Sequence, residues 1–263
     1  MKKYLVIGNP IEHSLSPKLH NHWIKNNSIK AIYEKLFLNK DDIEGIISQV
    51  KKGAVAGLNV TIPFKKIVIP YLDELTPSAN ESHSVNTVYK ENNKTIGHNT
   101  DIGGFELALK KINYDVNKKK VFILGAGGVA PSIIIALKKM GVSKITISNR
   151  TKTKAEYLQK KILDLEVIDW GQTPDFDMII NATSLGLQSE DEIKLDYKAV
   201  GKNKLFYDVI YNPRQTNFLA KAKEFGNQIE NGKMMFVYQA QQSFATWHKI
   251  LPSIDNETIK LLD

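Results

Sequence analysis

Short apolar runs of strand length stand at Tyr4 to Ile7, Ala31 to Phe37 and Ala54 to Thr61, and between them the spacing changes to that of helices, near Pro17 to Asn26 and Asp41 to Lys51. Val85 to Tyr89 and Thr95 to Gly97 flank the turn-prone ENN and predict a hairpin. A helix from Gly103 to Ile112 leads through the polar NYDVNKKK into VFILGA. The alternation then resumes as helix, KITISNR, helix, LEVIDW, FDMIINAT, KLFYDVIY, helix and NQIENG. The final stretch, from KMMFVYQAQQSFATWHKI onward, has apolar residues at helical spacing and no further strand. Such alternation predicts an α/β protein with mostly parallel sheets, and the second run has the length and order of a Rossmann unit. A terminal helix without a sheet of its own packs most simply on the first run. The expectation is two α/β domains around a cleft: residues 1–101 plus 233–263 as a discontinuous domain, and residues 102–232 as a dinucleotide-binding domain.

One corner interrupts this regularity. In LNVTIPFKK, residues 58 to 66, Leu58, Val60 and Ile62 alternate with Asn59 and Thr61 as in a half-buried strand, yet Pro63 stops a strand in a sheet interior. Proline followed by Phe64, Lys65 and Lys66 suits the first turn of a helix, which is the expectation here.

Composition narrows the classes. Apolar residues make up 42% and charged residues 24% of 263, and no apolar run is long enough for a membrane span. The start, MKKYLVIGNP, has too short an apolar run for a signal peptide and reads as a first strand, so the cytoplasm is the expected location. The chain has no cysteine, which excludes disulfides, iron–sulfur clusters, thiolate zinc sites and cysteine nucleophiles. Its histidines form no HExxH, and no metal site is expected. The net charge of +8 comes from scattered lysines, dense only around Asn117 to Lys120, with no nucleic-acid motif beside them. No nucleic-acid partner is expected; the charge suits phosphorylated or carboxylated small molecules.

The clearest chemistry lies in GAGGVAPS. Gly125, Gly127 and Ala130 fit G-x-G-x-x-G/A directly after a strand, where the first glycine permits the turn and the second lets backbone approach a pyrophosphate. A glycine turn of this kind also serves plain packing, so the next strand decides. It ends in Asn149, Arg150 and Thr151, with Lys152 and Lys154 behind, where an NAD site would place an acid on the ribose. Arg150 suits a 2′-phosphate, and NADP(H) is the expected cofactor.

Ser14 and Ser16, just before Pro17 opens a helix, can hold a carboxylate by hydroxyl and backbone donors; either serine alone also reads as a cap. Asn86 stands in SVNT, and Asn99, Thr100 and Asp101 precede a helix, so that Asp101 is also a candidate N-cap.

Taken in order, GNPIEHSLSP, NVTIPFK, VNT, NTD, GAGG, NRT, NATSLG, DVIYNP and the late glutamine-rich helix resemble the shikimate and quinate dehydrogenase family over essentially the whole chain. The resemblance implies reversible NADPH-dependent reduction of 3-dehydroshikimate to shikimate, in chorismate and aromatic amino-acid biosynthesis. It implies Lys65 and Asp101 as the catalytic pair. Ser14, Ser16 and Tyr211 would hold the substrate carboxylate, and Thr61, Asn86 and Gln239 other ring substituents, with Asn59 beside them. Gly125, Ala126, Gly127, Gly128, Val129, Asn149, Arg150, Thr151, Lys152, Thr183, Val209 and Gly232 would bind the cofactor, with Ser184 a neighbour. Ile102 follows Asp101 where the family more often has glycine, and Val129-Ala130-Pro131-Ser132 replaces the commoner helix start. A broad-specificity quinate/shikimate enzyme using NAD or NADP, and a non-catalytic dinucleotide sensor, are the competing readings. Monomer and homodimer both remain open.

Overall fold

A computed structural model describes residues 1–262. In chain order it contains β1 (Lys2–Gly8), α1 (Ser16–Asn26), β2 (Ala31–Phe37), α2 (Ile43–Lys52), β3 (Gly57–Val60), β4 (Glu74–Leu75), α3 (Pro77–Ser82), β5 (Thr87–Glu91), β6 (Lys94–His98) and α4 (Asp101–Lys111). There follow β7 (Lys120–Leu124), α5 (Ala130–Lys139), β8 (Lys144–Ser148), α6 (Lys152–Lys161), β9 (Leu165–Ile168), β10 (Met178–Asn181), α7 (Tyr197–Val200), β11 (Leu205–Asp208), α8 (Asn217–Glu224) and β12 (Gln228–Glu230). Helices α9 (Lys233–His248) and α10 (Asn256–Lys260) close the chain. None of the helices among the described residues is long and apolar enough to cross a membrane.

The chain divides into two compact units. Unit 1 is Met1–Gly104 with the chain from Val237 on, and unit 2 is Phe105–Phe236. These limits lie three or four residues beyond the expected boundaries after residues 101 and 232, because the chain crosses between units inside α4 and α9 and not in loops.

Unit 1 holds a mixed sheet of order β2-β1-β3-β5-β6-β4. Strands β1, β2 and β3 run parallel, and β5 is antiparallel to both β3 and β6. Helix α2 buries Ile43, Ile46, Ile47 and Val50, one helical face, against Leu5, Leu58 and Val60 of the sheet. Each such side chain contributes roughly 1.5–3 kcal/mol by leaving water. Gly53, at φ +80, then ends the helix in the left-handed conformation that a side chain disfavours. The part of α9 that belongs to this unit packs on the sheet through Trp247, whose Nε1 donates to the Val88 carbonyl at 3.2 Å. A Cβ on Gly57 would stand 2.5 Å from that nitrogen, so glycine is what lets the indole in.

Unit 2 is an all-parallel sheet of order β12-β11-β10-β7-β8-β9. Its central strands are fully buried, which explains the continuous apolar runs in VFIL and MII. Pro131 lies at the start of α5, where its missing N–H costs no helical bond.

The structure departs from the sequence reading in three places. The third strand starts at Gly57, not Ala54, because only Gly57 to Val60 pair with β1. Beyond the cis Ile62–Pro63 bond, residues 62–68 form successive turns and then a 3-10 segment at Ile69–Tyr71, so Lys65 is not on the first turn of an α-helix. The short elements β4, α3, α7 and α10 carry too few residues for a periodic signal.

Candidate active site

Three consecutive residues of the turn after Pro63 face different surroundings. Phe64 is 1% exposed and joins the unit 1 core, while Lys66 is exposed. Between them Lys65 is fixed through its backbone, whose carbonyl accepts the Val85 N–H at 2.8 Å. The anchored Phe64 thus turns Lys65 inward, and Lys65 Nζ donates to Asp101 Oδ2 at 2.5 Å, with side chains 12% and 6% exposed. Asp101 is free for this pairing because it does not cap α4. Asn99 Oδ1 accepts the Ile102 N–H at 3.2 Å in its place.

Asn86 orders the other carboxylate oxygen. Its Nδ2 donates to Asp101 Oδ1 at 3.0 Å and to Gln239 Oε1 at 3.2 Å, while its Oδ1 accepts from the Thr100 N–H at 2.8 Å. Behind it lie Thr87, Thr100 and Ser243, which no motif had singled out as a group. Ser243 Oγ is 2.7 Å from Thr87 Oγ1 and 3.2 Å from Thr100 Oγ1, and it donates to the Gln239 carbonyl one helical turn back. All three are fully buried, so the network is shielded from water and rigid. The sequence signal for Ser243 is its spacing of four from Gln239 on one helix.

Asn59, expected beside the substrate ligands, is held inside this network. It is 6% exposed, and its Oδ1 accepts the Tyr33 hydroxyl at 2.7 Å. Its Nδ2 faces the Asn86 carbonyl at 3.0 Å, Ser243 Oγ at 3.0 Å and Thr87 Oγ1 at 3.3 Å. With its amide committed inside the network, Asn59 supports Asn86 from behind. Thr61 is half-buried against Gly8, where an added Cβ would meet its methyl at 2.7 Å. Ser14 is half-buried and Ser16 buried; Ser14 Oγ accepts the Ser16 N–H at 3.3 Å, at the start of α1. Tyr211 belongs to unit 2, where its ring stacks on Phe236 at 4.4 Å.

In unit 2 the turn after β7 is built for close approach. Gly125, at φ +104, lies so near the Ala182 backbone that a Cβ would be 2.8 Å from it. A Cβ on Gly127 would instead meet no atom nearer than 3.9 Å, and this exposed glycine leaves its backbone open to a ligand. Asn149 Oδ1 accepts the Ala126 N–H at 2.9 Å, which ties the glycine turn to the end of β8. Val129 precedes α5 and Gly128 is half-buried beside it. Arg150 is exposed just before Thr151, the residue that opens α6. Lys152 pairs with Asp169 at 2.7 Å, an acid that the motif reading had missed. Thr183 hydrogen-bonds Asn181 Oδ1 through both its N–H and its hydroxyl, and Gly232 donates to the Ile210 carbonyl next to Val209. The open glycine backbone, the cationic Arg150 and the absence of an acid on Asn149–Thr151 fit a dinucleotide carrying a 2′-phosphate.

A parallel dinucleotide fold in one unit and a buried lysine–aspartate pair in the other fit an NADP-dependent oxidoreductase. Residues 6–88 match the model of the shikimate dehydrogenase substrate binding domain, and residues 106–217 that of the shikimate / quinate 5-dehydrogenase. A shikimate dehydrogenase (NADP(+)) of Pelagibacter ubique is 59% identical over 100% of this chain and 99% of its own length. The crystal structure of shikimate dehydrogenase from Aquifex aeolicus superposes with a TM-score of 0.91 at 36% identity, covering 100% of this chain and 97% of that one. Shikimate 5-dehydrogenase from Thermus thermophilus, in complex with NADP(H) and shikimate, gives 0.89 at 28% identity, covering 100% and 98%. The chain belongs to the shikimate dehydrogenase family.

Proposed function

We propose that the chain catalyses the reversible NADPH-dependent reduction of the ring ketone of 3-dehydroshikimate to shikimate, a step toward chorismate and the aromatic amino acids. The observation that carries the mechanism is the 2.5 Å contact between Lys65 Nζ and Asp101 Oδ2 in a nearly buried setting. NADPH, when bound, supplies the hydride that adds to the carbonyl carbon. The Lys65 ammonium delivers the proton to the carbonyl oxygen, and in the oxidation direction the Lys65 amine takes it back. Asp101 aims the amine and balances its charge, while Asn86 holds Asp101.

Ser14 and Ser16 are assigned the substrate carboxylate, supported by their place at the start of α1 where backbone N–H groups lack helical partners. Thr61, Asn86 and Gln239 are assigned ring hydroxyls. Arg150, with Thr151 and Lys152, is assigned the 2′-phosphate, and the Gly125–Val129 turn the diphosphate. The substrate and cofactor are both small soluble metabolites, which supports a cytoplasmic enzyme with no nucleic-acid partner.

The test is formation of the reduced cofactor, NADPH or NADH, by the purified chain with each combination of shikimate or quinate and NADP+ or NAD+. The reading requires shikimate with NADP+ to be the best pair by at least about tenfold in kcat/KM, a difference near 1.4 kcal/mol. Equal efficiency with quinate or NAD+ would replace it by the broad-specificity enzyme, and no turnover with any pair would leave a binding protein.

A further inference from the structure

Strands β10 and β11 end side by side, with Asn181 opposite Asp208. Asp208 is 0% exposed. Its Oδ1 accepts from Asn181 Nδ2 at 3.0 Å and from the Ile210 N–H at 3.0 Å, and its Oδ2 accepts the Thr216 hydroxyl at 2.6 Å. All three donors are neutral. Burying a carboxylate on such donors is costly, and burial pushes the Asp208 carboxyl up to about 6 although the three hydrogen bonds oppose the rise.

The cost is matched by what one side chain fixes. Asn181 Nδ2 also donates to the Leu185 carbonyl at 2.9 Å, and Asn181 Oδ1 takes both the N–H and the hydroxyl of Thr183, at 3.1 Å and 2.7 Å. That loop abuts the glycine turn, since a Cβ on Gly125 would meet the Ala182 backbone and the Thr183 methyl at 2.8 Å. Ile210, held by its N–H on Asp208, accepts the Gly232 N–H at 3.1 Å through its carbonyl, and Val209 N–H donates to the Asn181 carbonyl at 3.0 Å. Thr216 opens α8 by accepting the Leu219 N–H at 3.4 Å. Thr183, Val209 and Gly232 are therefore each within two hydrogen-bonded steps of one buried carboxylate. They stand at the carboxyl ends of parallel strands, where such sheets bind dinucleotides.

We propose that Asp208 is the positioning residue of the NADP(H) site, a clasp that sets the loops after β10 and β11 without touching the cofactor. This rests on the assignment of Thr183, Val209 and Gly232 to cofactor binding. Asp208→Asn keeps an oxygen for Asn181 and Ile210 and offers Nδ2 to Thr216 Oγ1, so the carboxamide preserves most of the clasp. Asp208→Ala removes it. Thr216→Val is close to isosteric and removes the Oδ2 bond together with the long cap contact to the Leu219 N–H.

The experiment titrates the full chain and these variants with NADP+ and measures the shikimate KM at saturating NADP+. Expected is a Kd for NADP+ weaker by about tenfold or more in Asp208→Ala, about threefold to tenfold in Thr216→Val and within about threefold of wild type in Asp208→Asn, each tenfold being about 1.4 kcal/mol. The shikimate KM stays within about twofold. Wild-type NADP+ affinity in Asp208→Ala and Thr216→Val overturns the proposal, as does a parallel loss of NADP+ and shikimate binding. If Asp208→Ala fails to fold, Thr216→Val decides alone. Shikimate turnover in wild type is read separately: its absence sinks the functional reading, while the NADP+ titrations still judge Asp208.

Discussion

Lys65 Nζ and Asp101 Oδ2 meet at 2.5 Å with side chains 12% and 6% exposed, and Asn86 occupies the second carboxylate oxygen. Removing one member of such a pair leaves a charge with little water to solvate it. Asp101→Ala is expected to lower stability by about 3 kcal/mol and kcat by at least about 100-fold. Asp101→Asn keeps the shape but also leaves Lys65 without its counter-charge, so it is expected to recover only the packing part of the loss while kcat stays low. Denaturant unfolding beside steady-state kinetics separates the two effects; a stable, fully active Asp101→Ala would exclude a role in either.

Asn59 and Ser243, 3.0 Å apart, link β3 to α9 behind Asn86. Ser243→Ala removes a hydroxyl shared by Thr87, Thr100 and Asn59, and is expected to raise the shikimate KM about threefold to tenfold with a loss of about 1–2 kcal/mol in stability. Asn59→Ala removes the acceptor of the Tyr33 hydroxyl bond and one of the two donors to the Asn86 carbonyl, so the expected cost is larger, about 2–3 kcal/mol. A thermal melt with the shikimate KM checks both. Unchanged stability in Asn59→Ala, with only substrate affinity lost, would return Asn59 to the role of a direct ligand.

Much of this was legible in the chain. The runs VFIL and MII announce a parallel sheet because both faces of their strands are covered, and Gly125 and Gly127 follow where a cradle has to be. The segment from Ile62 to Ser82 was not legible. Pro63, Pro70 and Pro77 divide it into turns and elements too short to show a period, and Lys65 owes its direction to the anchored Phe64 rather than to a helix. The inward role of Asn59 was equally hidden. Its partner Ser243 is 184 residues away, and only the fold joins them.

His20 gives unit 1 a dependence on pH. Its ring stacks on Tyr33 at 4.2 Å and 2°, has Trp23 at its edge, and neither ring nitrogen has a hydrogen-bond partner. Burial holds its pKa down to about 3 from 6.5, and His248 nearby is lowered to about 4, first by burial and then by Lys2. A depressed folded-state pKa means that the unfolded chain takes up the proton first. Stability is therefore full above pH 6.5 and falls as the pH drops toward 3, with His20 contributing on the order of 3 kcal/mol of the loss by pH 4. His20→Leu should flatten urea-unfolding stability between these limits, and an equal slope in wild type and variant would contradict the assignment.

Gly232 is pressed against backbone. A Cβ there would lie 2.1 Å from the Val209 carbonyl oxygen, and no rotamer relieves a Cβ clash. Gly232→Ala is expected to shift the 209–210 backbone and weaken NADP+ binding at least about tenfold, measured by direct titration. An alanine variant with wild-type affinity would show that this approach is not needed for the cofactor.

The proton donor is the centre of the mechanism, and kcat for shikimate oxidation by Lys65→Ala, measured beside the Kd for NADP+, addresses it most directly. The expected result is a kcat lower by about 100-fold or more with NADP+ affinity within about twofold of wild type. A kcat within about twofold of wild type would contradict the assignment of proton transfer to Lys65.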